Sequence, residues 1–294
     1  MNKTKESEVR LKSGQVLEIS EGGDLNGLPV FIFHGTPGSR SLYPPHVGNA
    51  ENNGIHLIGF NRPGYGGSTR ILGRDVLNGA HCASYIADNL GIEKFAVWGH
   101  SGGGKYALAC AAALPGRVVA SSCMSTFAPF GAEGLDYFSG MGEACKEDIK
   151  LLLKDRKTWE EKSLEDVKAM AAPMSNEQTE MMISQLPDVD KKALTPELGN
   201  YLGQSIKEGL GKGPYGPIDD NVADVAYWGF DLGSIRVPTQ IWHGKHDGFS
   251  PFVHGQWLAG HVPHTEAHLE ENAGHFSVFV DRIPEIHAWL SSNF

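Results

Sequence analysis

Short, nearly continuous apolar runs recur along this chain and alternate with stretches of helical period. "VFIFH" (30–34), "IHLIGF" (55–60), "KFAVWG" (94–99), "VVASSCM" (118–124), "TQIWHG" (239–244) and "EAHLEE" (266–271) read as strands. Several are nearly continuous in apolar residues, as expected of parallel strands buried on both faces. Helical patterns lie between them at Val76–Leu90, Lys105–Leu114, Phe252–Ala259 and Arg282–Leu290. Gln15–Ser20 reads as an early strand in an N-terminal hairpin. This alternation predicts an α/β protein: a mostly parallel central sheet with helices on both faces.

The rhythm breaks between Phe127 and Leu232. "EACKEDIKLLLKD", "SLEDVKAMAA", "NEQTEMMISQL", "ELGNYLGQSIKEGL" and "NVADVAYWGF" are helical and carry almost no strand signal. The expected organisation is a core domain from residues 1–126 and 233–294, with 127–232 inserted as a helical lid. Insertions at the carboxyl ends of strands are where such sheets build ligand sites. No internal repeat or low-complexity segment interrupts this plan.

Composition narrows the function classes. The chain has 294 residues, 40% hydrophobic and 20% charged, with a formal net charge of −10. Nucleic-acid binders carry a basic patch; here the densest basic stretch, Lys150–Lys162, is interleaved with acids and reads as a solvated helix face. The first residues, "MNKTKESEVRLKSGQ", lack the apolar core of a signal peptide, and no run approaches the roughly 18 apolar residues that span a bilayer. Cys82, Cys110, Cys123 and Cys145 lack C-x-x-C spacing and read as free thiols. The expectation is a cytoplasmic protein that acts on a small molecule, without nucleic-acid or membrane partners.

Chemistry concentrates in "FAVWGHSGGGKYALACAAALP" (95–115). Gly99-His100-Ser101-Gly102-Gly103 is a G-x-S-x-G sequence between a strand and a helix, the setting in which that motif presents a nucleophile. A serine on so tight a turn projects its hydroxyl from the sheet, and side chains at Gly99 and Gly103 would meet neighbouring backbone. The helix that follows aims amide groups at developing negative charge. A glycine-rich phosphate turn is the plainer alternative, but neither G-x-G-x-x-G nor G-x-x-x-x-G-K-[ST] is complete here.

A serine hydroxyl needs a positioned base, and the base an orienting carboxylate. "IWHGKHDGFSP" supplies Asp247 just past a strand end, and "ENAGHFSVF" supplies His275 just past the last strand. Their order, Ser then Asp then His, fits this arrangement of strands. The segment after the following strand, "SSCMSTFAPF", holds no carboxylate, which favours Asp247 as the acid. A tetrahedral intermediate also needs preorganised donors for its oxyanion. The expected pair is the Gly102 amide and, from "FHGTPGSR", the Thr36 amide, with the Thr36 hydroxyl as a further candidate. The reading is a cofactor-free, metal-free serine hydrolase of a carboxylic ester or lactone. Ser101 is the nucleophile, His275 the base and Asp247 its orienter.

"HGTPG", "FNRPGYGGS", "GHSGGG", "IWHGKHDGFSP" and "NAGHF" together resemble the α/β-hydrolase fold superfamily, over about 28–125 and 233–294. The insertion is similar only in position, matching the family's variable lid. Asn61 stands where many relatives carry Asp; that loop reads as structural. Serine at the nucleophile position is unlike the dehalogenase and epoxide-hydrolase branches. "HGTPGSR" with "GHSGGGKYA" is similar to bacterial macrolide esterases, which implies opening of a macrolide lactone and a link to antibiotic resistance.

His34 and His100 are motif positions expected to pack or orient their turns. His264 and His268 have i, i+4 spacing, but "HTEAHLE" reads as strand, which argues against a metal site. Met170, Met174, Met181 and Met182, with Tyr227 and Trp228, could line an adaptable apolar pocket or could simply pack lid helices. The same triad could instead run C–C bond hydrolysis, perhydrolysis or small-ester cleavage. A ligand-binding receptor on this scaffold is the non-enzymatic alternative.

Overall fold

Eight strands form one sheet in the order β1-β2-β4-β3-β5-β6-β7-β8. They are β1 (Lys5–Arg10), β2 (Val16–Gly23), β3 (Leu28–Phe33), β4 (Ile55–Phe60), β5 (Phe95–His100), β6 (Val118–Met124), β7 (Thr239–Gly244) and β8 (Thr265–Glu270). The computed structural model describes residues 4–170, 172 and 176–294. β1 and β2 form an antiparallel hairpin and β2 pairs antiparallel with β4. All pairings from β4 to β8 are parallel.

Period-two alternation divides the core between the two faces. Phe31, Phe33 and Val97 point one way, onto α2 (Leu77–Asn89) and α3 (Gly104–Ala113) through Ala80, Ile86, Ala107 and Leu108. Val30, Ile32, Ala96 and Trp98 point the other way. There they meet α1 (Pro44–Asn52), α11 (His275–Asp281) and α12 (Ile283–Ser292) through Val47, Val278, Phe279 and Leu290. Each large side chain buried this way contributes roughly 1.5–3 kcal/mol.

Between β6 and β7 lie α4 (Glu143–Lys154), α5 (Arg156–Met170), α6 (Asn176–Ser184), α7 (Asp188–Ala193), α8 (Pro196–Gly209) and α9 (Tyr215–Val225). No strand occurs there among the described residues. Leu152, Trp159 and Ile218 form a small core of their own, joining α4, α5 and α9. α10 (Phe252–His261) follows β7. Among the described residues, no helix is long and apolar enough to cross a membrane.

The chain leaves β3 to build β4 on one side and returns to build β5 on the other. Strand order therefore reverses between β3 and β5, and the loops leaving their carboxyl ends diverge around a crevice. Gly35–Thr36 follow β3 and Ser101 follows β5, so both reach that crevice.

Candidate active site

Ser101 has φ +56°, a left-handed conformation that non-glycine residues seldom adopt and that marks a strained turn. A single 3-10 turn, Ser101–Gly103, joins β5 to α3. A Cβ on Gly99 would lie 2.6 Å from the Gly103 carbonyl carbon, and one on Gly103 would lie 2.7 Å from His34 O. Both glycines are therefore needed for the turn to close against β3. Gly104 packs equally tightly, since its Cβ would lie 2.7 Å from Thr126 Cβ and 2.9 Å from Cys123 Sγ. Gly35 passes over the serine: a Cβ there would lie 3.5 Å from Ser101 Cβ.

Asp247 sits in the turn after β7 and is buried. Its Oδ1 accepts hydrogen bonds from the Phe249 and Ser250 amides, each 2.8 Å. Its Oδ2 accepts the His275 Nδ1 proton at 2.8 Å. Burial pushes the carboxyl pKa up. The His275 imidazole and its hydrogen bond, His243 and the Ser250 amide outweigh that and hold it down at about 2. His275 carries its proton on Nδ1, which leaves Nε2 as the acceptor. Ser101 and His275 share no hydrogen bond here; such contacts are often long in unliganded enzymes and tighten with substrate.

His275 lies just past β8, as expected, and opens α11. The reason is the carboxylate of Asp190, on α7. Its Oδ2 accepts the His275 amide at 2.8 Å, and its Oδ1 accepts the Phe276 and Ser277 amides at 2.9 and 3.0 Å. This caps the helix from 85 residues away. His100 is buried beside His275, with ring centroids 4.5 Å apart, and its Nε2–H donates to His275 O at 3.0 Å. Burial, then the neighbouring His275, lower the His100 pKa to about 3. His100 is thus a neutral brace.

The loop after β3 is held from below by Arg62. Its guanidinium donates to His34 O, to Gly35 O at 3.2 Å and to Thr36 Oγ1 at 3.0 Å. The Thr36 hydroxyl donates to Asp220 Oδ2 at 2.6 Å. Its proton is thereby committed, so the expectation that it helps an oxyanion is corrected; the Thr36 amide remains. Asp220, fully buried on α9, also accepts from Arg62, Tyr65 Oη (2.8 Å), Arg74 (2.6 Å) and Tyr106 Oη (2.7 Å). Burial pushes its pKa up, and Arg62, Arg74 and Lys105 overcome that to hold it well down. Lys105, one turn past Ser101, pairs with Asp224. Burial lowers its pKa to about 7.

Asn61 is structural, as expected: its Oδ1 accepts the Arg40 amide at 2.6 Å and its Nδ2 donates to Glu18 at 2.8 Å. His268 lies on β8 with its ring stacked 3.7 Å from that of Trp242. Trp228 is only 2% exposed, within the core beneath α2 and α3, and so packs rather than facing a ligand. Met181 and Met182 are 67% and 45% exposed on α6, and Met170 and Tyr227 are also exposed. Met174 lies outside the described residues. Sequence reasoning missed Phe249, whose half-exposed ring lies 4.8 Å from that of His275. It also missed His243, whose Nε2–H donates to Ser250 O at 2.8 Å and steadies the Asp247 turn.

Residues 29–281 match the model of the alpha/beta hydrolase fold family. The chain belongs to that family. It is 25% identical over 266 residues to a 2-hydroxy-6-oxononadienedioate/2-hydroxy-6-oxononatrienedioate hydrolase of Klebsiella pneumoniae, covering 89% of this chain and 85% of the relative. It is 27% identical over 262 residues to a 2-hydroxy-6-oxo-6-phenylhexa-2,4-dienoate hydrolase of Burkholderia cepacia, covering 85% and 82%. Its fold is also that of a thermophilic esterase from Thermogutta terrifontis solved with malate bound. That match has a TM-score of 0.68 at 19% identity and covers 98% of this α/β hydrolase and 99% of the esterase.

Proposed function

We propose that this α/β hydrolase cleaves a carboxylic ester or lactone through a Ser101–His275–Asp247 triad. The observation that carries the reading is the 2.8 Å bond from His275 Nδ1 to the ionised, buried Asp247. It fixes the tautomer whose Nε2 can take a proton. Ser101 attacks the carbonyl as its proton passes to His275, and the Thr36 and Gly102 amides receive the oxyanion. Collapse expels the alcohol, protonated by His275, and leaves an acyl-serine. Water, deprotonated by His275, then releases the acid. Helices α4–α9 serve as a cap over the site, with Met181, Met182 and Phe249 as adaptable apolar surface toward the substrate.

C–C bond hydrolysis is the second reading, favoured by the printed activities of the relatives above. Those names describe dienoate substrates, which carry carboxylates and call for a cation to receive them. Here the cations beside the elbow are already paired: Arg62 and Arg74 with Asp220, Lys105 with Asp224. A neutral ester or lactone suits such a site better.

The test is a mass-spectrometric turnover screen of wild type and Ser101→Ala on esters, lactones including macrolides, and 2-hydroxy-6-oxo-dienoates. Wild type should turn over an ester, or add one water to a lactone without fragmentation, many times per enzyme. Ser101→Ala should remain folded and lose about three or more orders of magnitude in rate. Near-wild-type turnover by the variant would remove Ser101 from the mechanism. Preferential dienoate cleavage would move the assignment to the second reading.

A further inference from the structure

Three polar groups of His275 are each bonded to a side chain from a different part of the chain. Its imidazole Nδ1–H meets Asp247, its carbonyl oxygen meets His100 and its amide meets Asp190. Only Nε2 is left for substrate chemistry. Asp247 follows β7 and His100 ends β5 of the sheet, but Asp190 comes from α7, in the inserted helices.

Asp190 is wholly buried, and among the described residues it forms no ion pair. Its three partners toward α11 are the amides of residues 275–277, which concentrate partial positive charge at the helix start. The contact is shaped on both sides. The Asp190 amide donates to Pro187 O at 2.9 Å, which fixes the start of α7. Across the interface, a Cβ on Gly274 would lie 2.6 Å from the carboxyl carbon and both oxygens of Asp190. Gly274 has φ −124°, an ordinary extended value, so the lack of a side chain there serves the close approach alone.

We propose that Asp190 is a positioning residue for the catalytic base: it sets the backbone of His275 from within the cap and acts on catalysis only through that histidine. The proposal rests on reading His275 as the base. It makes the inserted helices part of the catalytic machinery, since displacing α7 would release the amide end of His275.

An alkyl fluorophosphonate, which phosphonylates an activated serine with loss of fluoride, measures the competence of Ser101 without knowledge of the substrate. The full chain is compared as wild type, Ser101→Ala, His275→Ala, Asp190→Asn, Asp190→Asn/His275→Ala and Gly274→Ala. Asparagine turns an NH2 group toward the His275 amide, donor against donor. Asp190→Asn should lower the maximal phosphonylation rate on the order of tenfold to a hundredfold. The half-saturating reagent concentration should stay within about twofold. In the His275→Ala background the same change should have no further effect. Gly274→Ala keeps the charge but displaces the carboxylate, and should repeat the Asp190→Asn result; it decides the matter should Asp190→Asn fail to fold. Wild-type labelling by folded Asp190→Asn or Gly274→Ala overturns the proposal, as does an equal loss in the His275→Ala background. Wild-type labelling of Ser101→Ala overturns the serine reading itself, a separate result.

Discussion

A methyl group on Gly102 would overlap the Thr36 hydroxyl and lie 2.8 Å from Thr36 Cβ and 3.2 Å from its amide nitrogen. The two proposed oxyanion donors are thus packed together, and neither can shift alone. Thr36 is further pinned through its hydroxyl to Asp220 and Arg62. Substituting Gly102 by Ala should therefore spread the pair rather than unfold the protein. We expect a rate loss on the order of a hundredfold or more, similar to removing one oxyanion donor. The thermal midpoint should change little, because Gly102 lies in a partly exposed turn. A Gly102→Ala enzyme with wild-type turnover would place the oxyanion elsewhere.

At the scale of elements, α9 joins the inserted helices to the sheet domain through three carboxylates, Asp219 to Arg70, Asp224 to Lys105 and, most deeply buried, Asp220. Asp220 accepts from Arg62, Arg74, Tyr65, Tyr106 and Thr36, residues that follow β3, β4 and β5. Replacing it by Ala leaves two buried guanidinium groups without a counter-charge, which typically costs about 3–5 kcal/mol. Urea unfolding of Asp220→Ala should show that loss, and an unchanged midpoint would mean that solvent or Asp224 compensates. None of this network was legible beforehand. The apolar runs that became β3–β7, the mixed run of β8, and the helices α2, α3, α10 and α12 were, because burial imposes period on sequence. So were the tight turn that carries Ser101 between β5 and α3 and the approach of His275 to Asp247, which motif context and the order of residue types carry. The largely exposed β1, α1 with its two leading prolines, and α11 carried little such signal. α11 begins where it does because of Asp190, 85 residues away, and His100 braces a carbonyl 175 residues away. Local pattern holds no trace of partners so distant in the chain.

At the scale of the whole molecule, histidine burial sets the response to acid. Seven of the 13 histidines have pKa values lowered first of all by desolvation: His34, His46, His56, His100, His243, His254 and His287. Those of His100 and His287 fall to about 3 and that of His254 to about 4. They are spread over α1, β4, β5, β7, α10, α12 and the loop after β3, so global unfolding exposes them together. Unfolded, each takes up a proton as the pH falls through about 6.5. Folded, these three stay neutral until the pH is far lower. The unfolded state therefore binds more protons below about pH 6.5, and stability falls as pH falls. The slope is about 1.4 kcal/mol per pH unit for each histidine left neutral in the native state. Asp247 adds a loss in the same direction only below about pH 4, where its unfolded form protonates while its native pKa stays at about 2. The urea midpoint should thus fall steeply between pH 6.5 and 5, before ordinary carboxylates begin to titrate. A midpoint that holds constant across that interval would mean the buried histidines take up protons without leaving the fold.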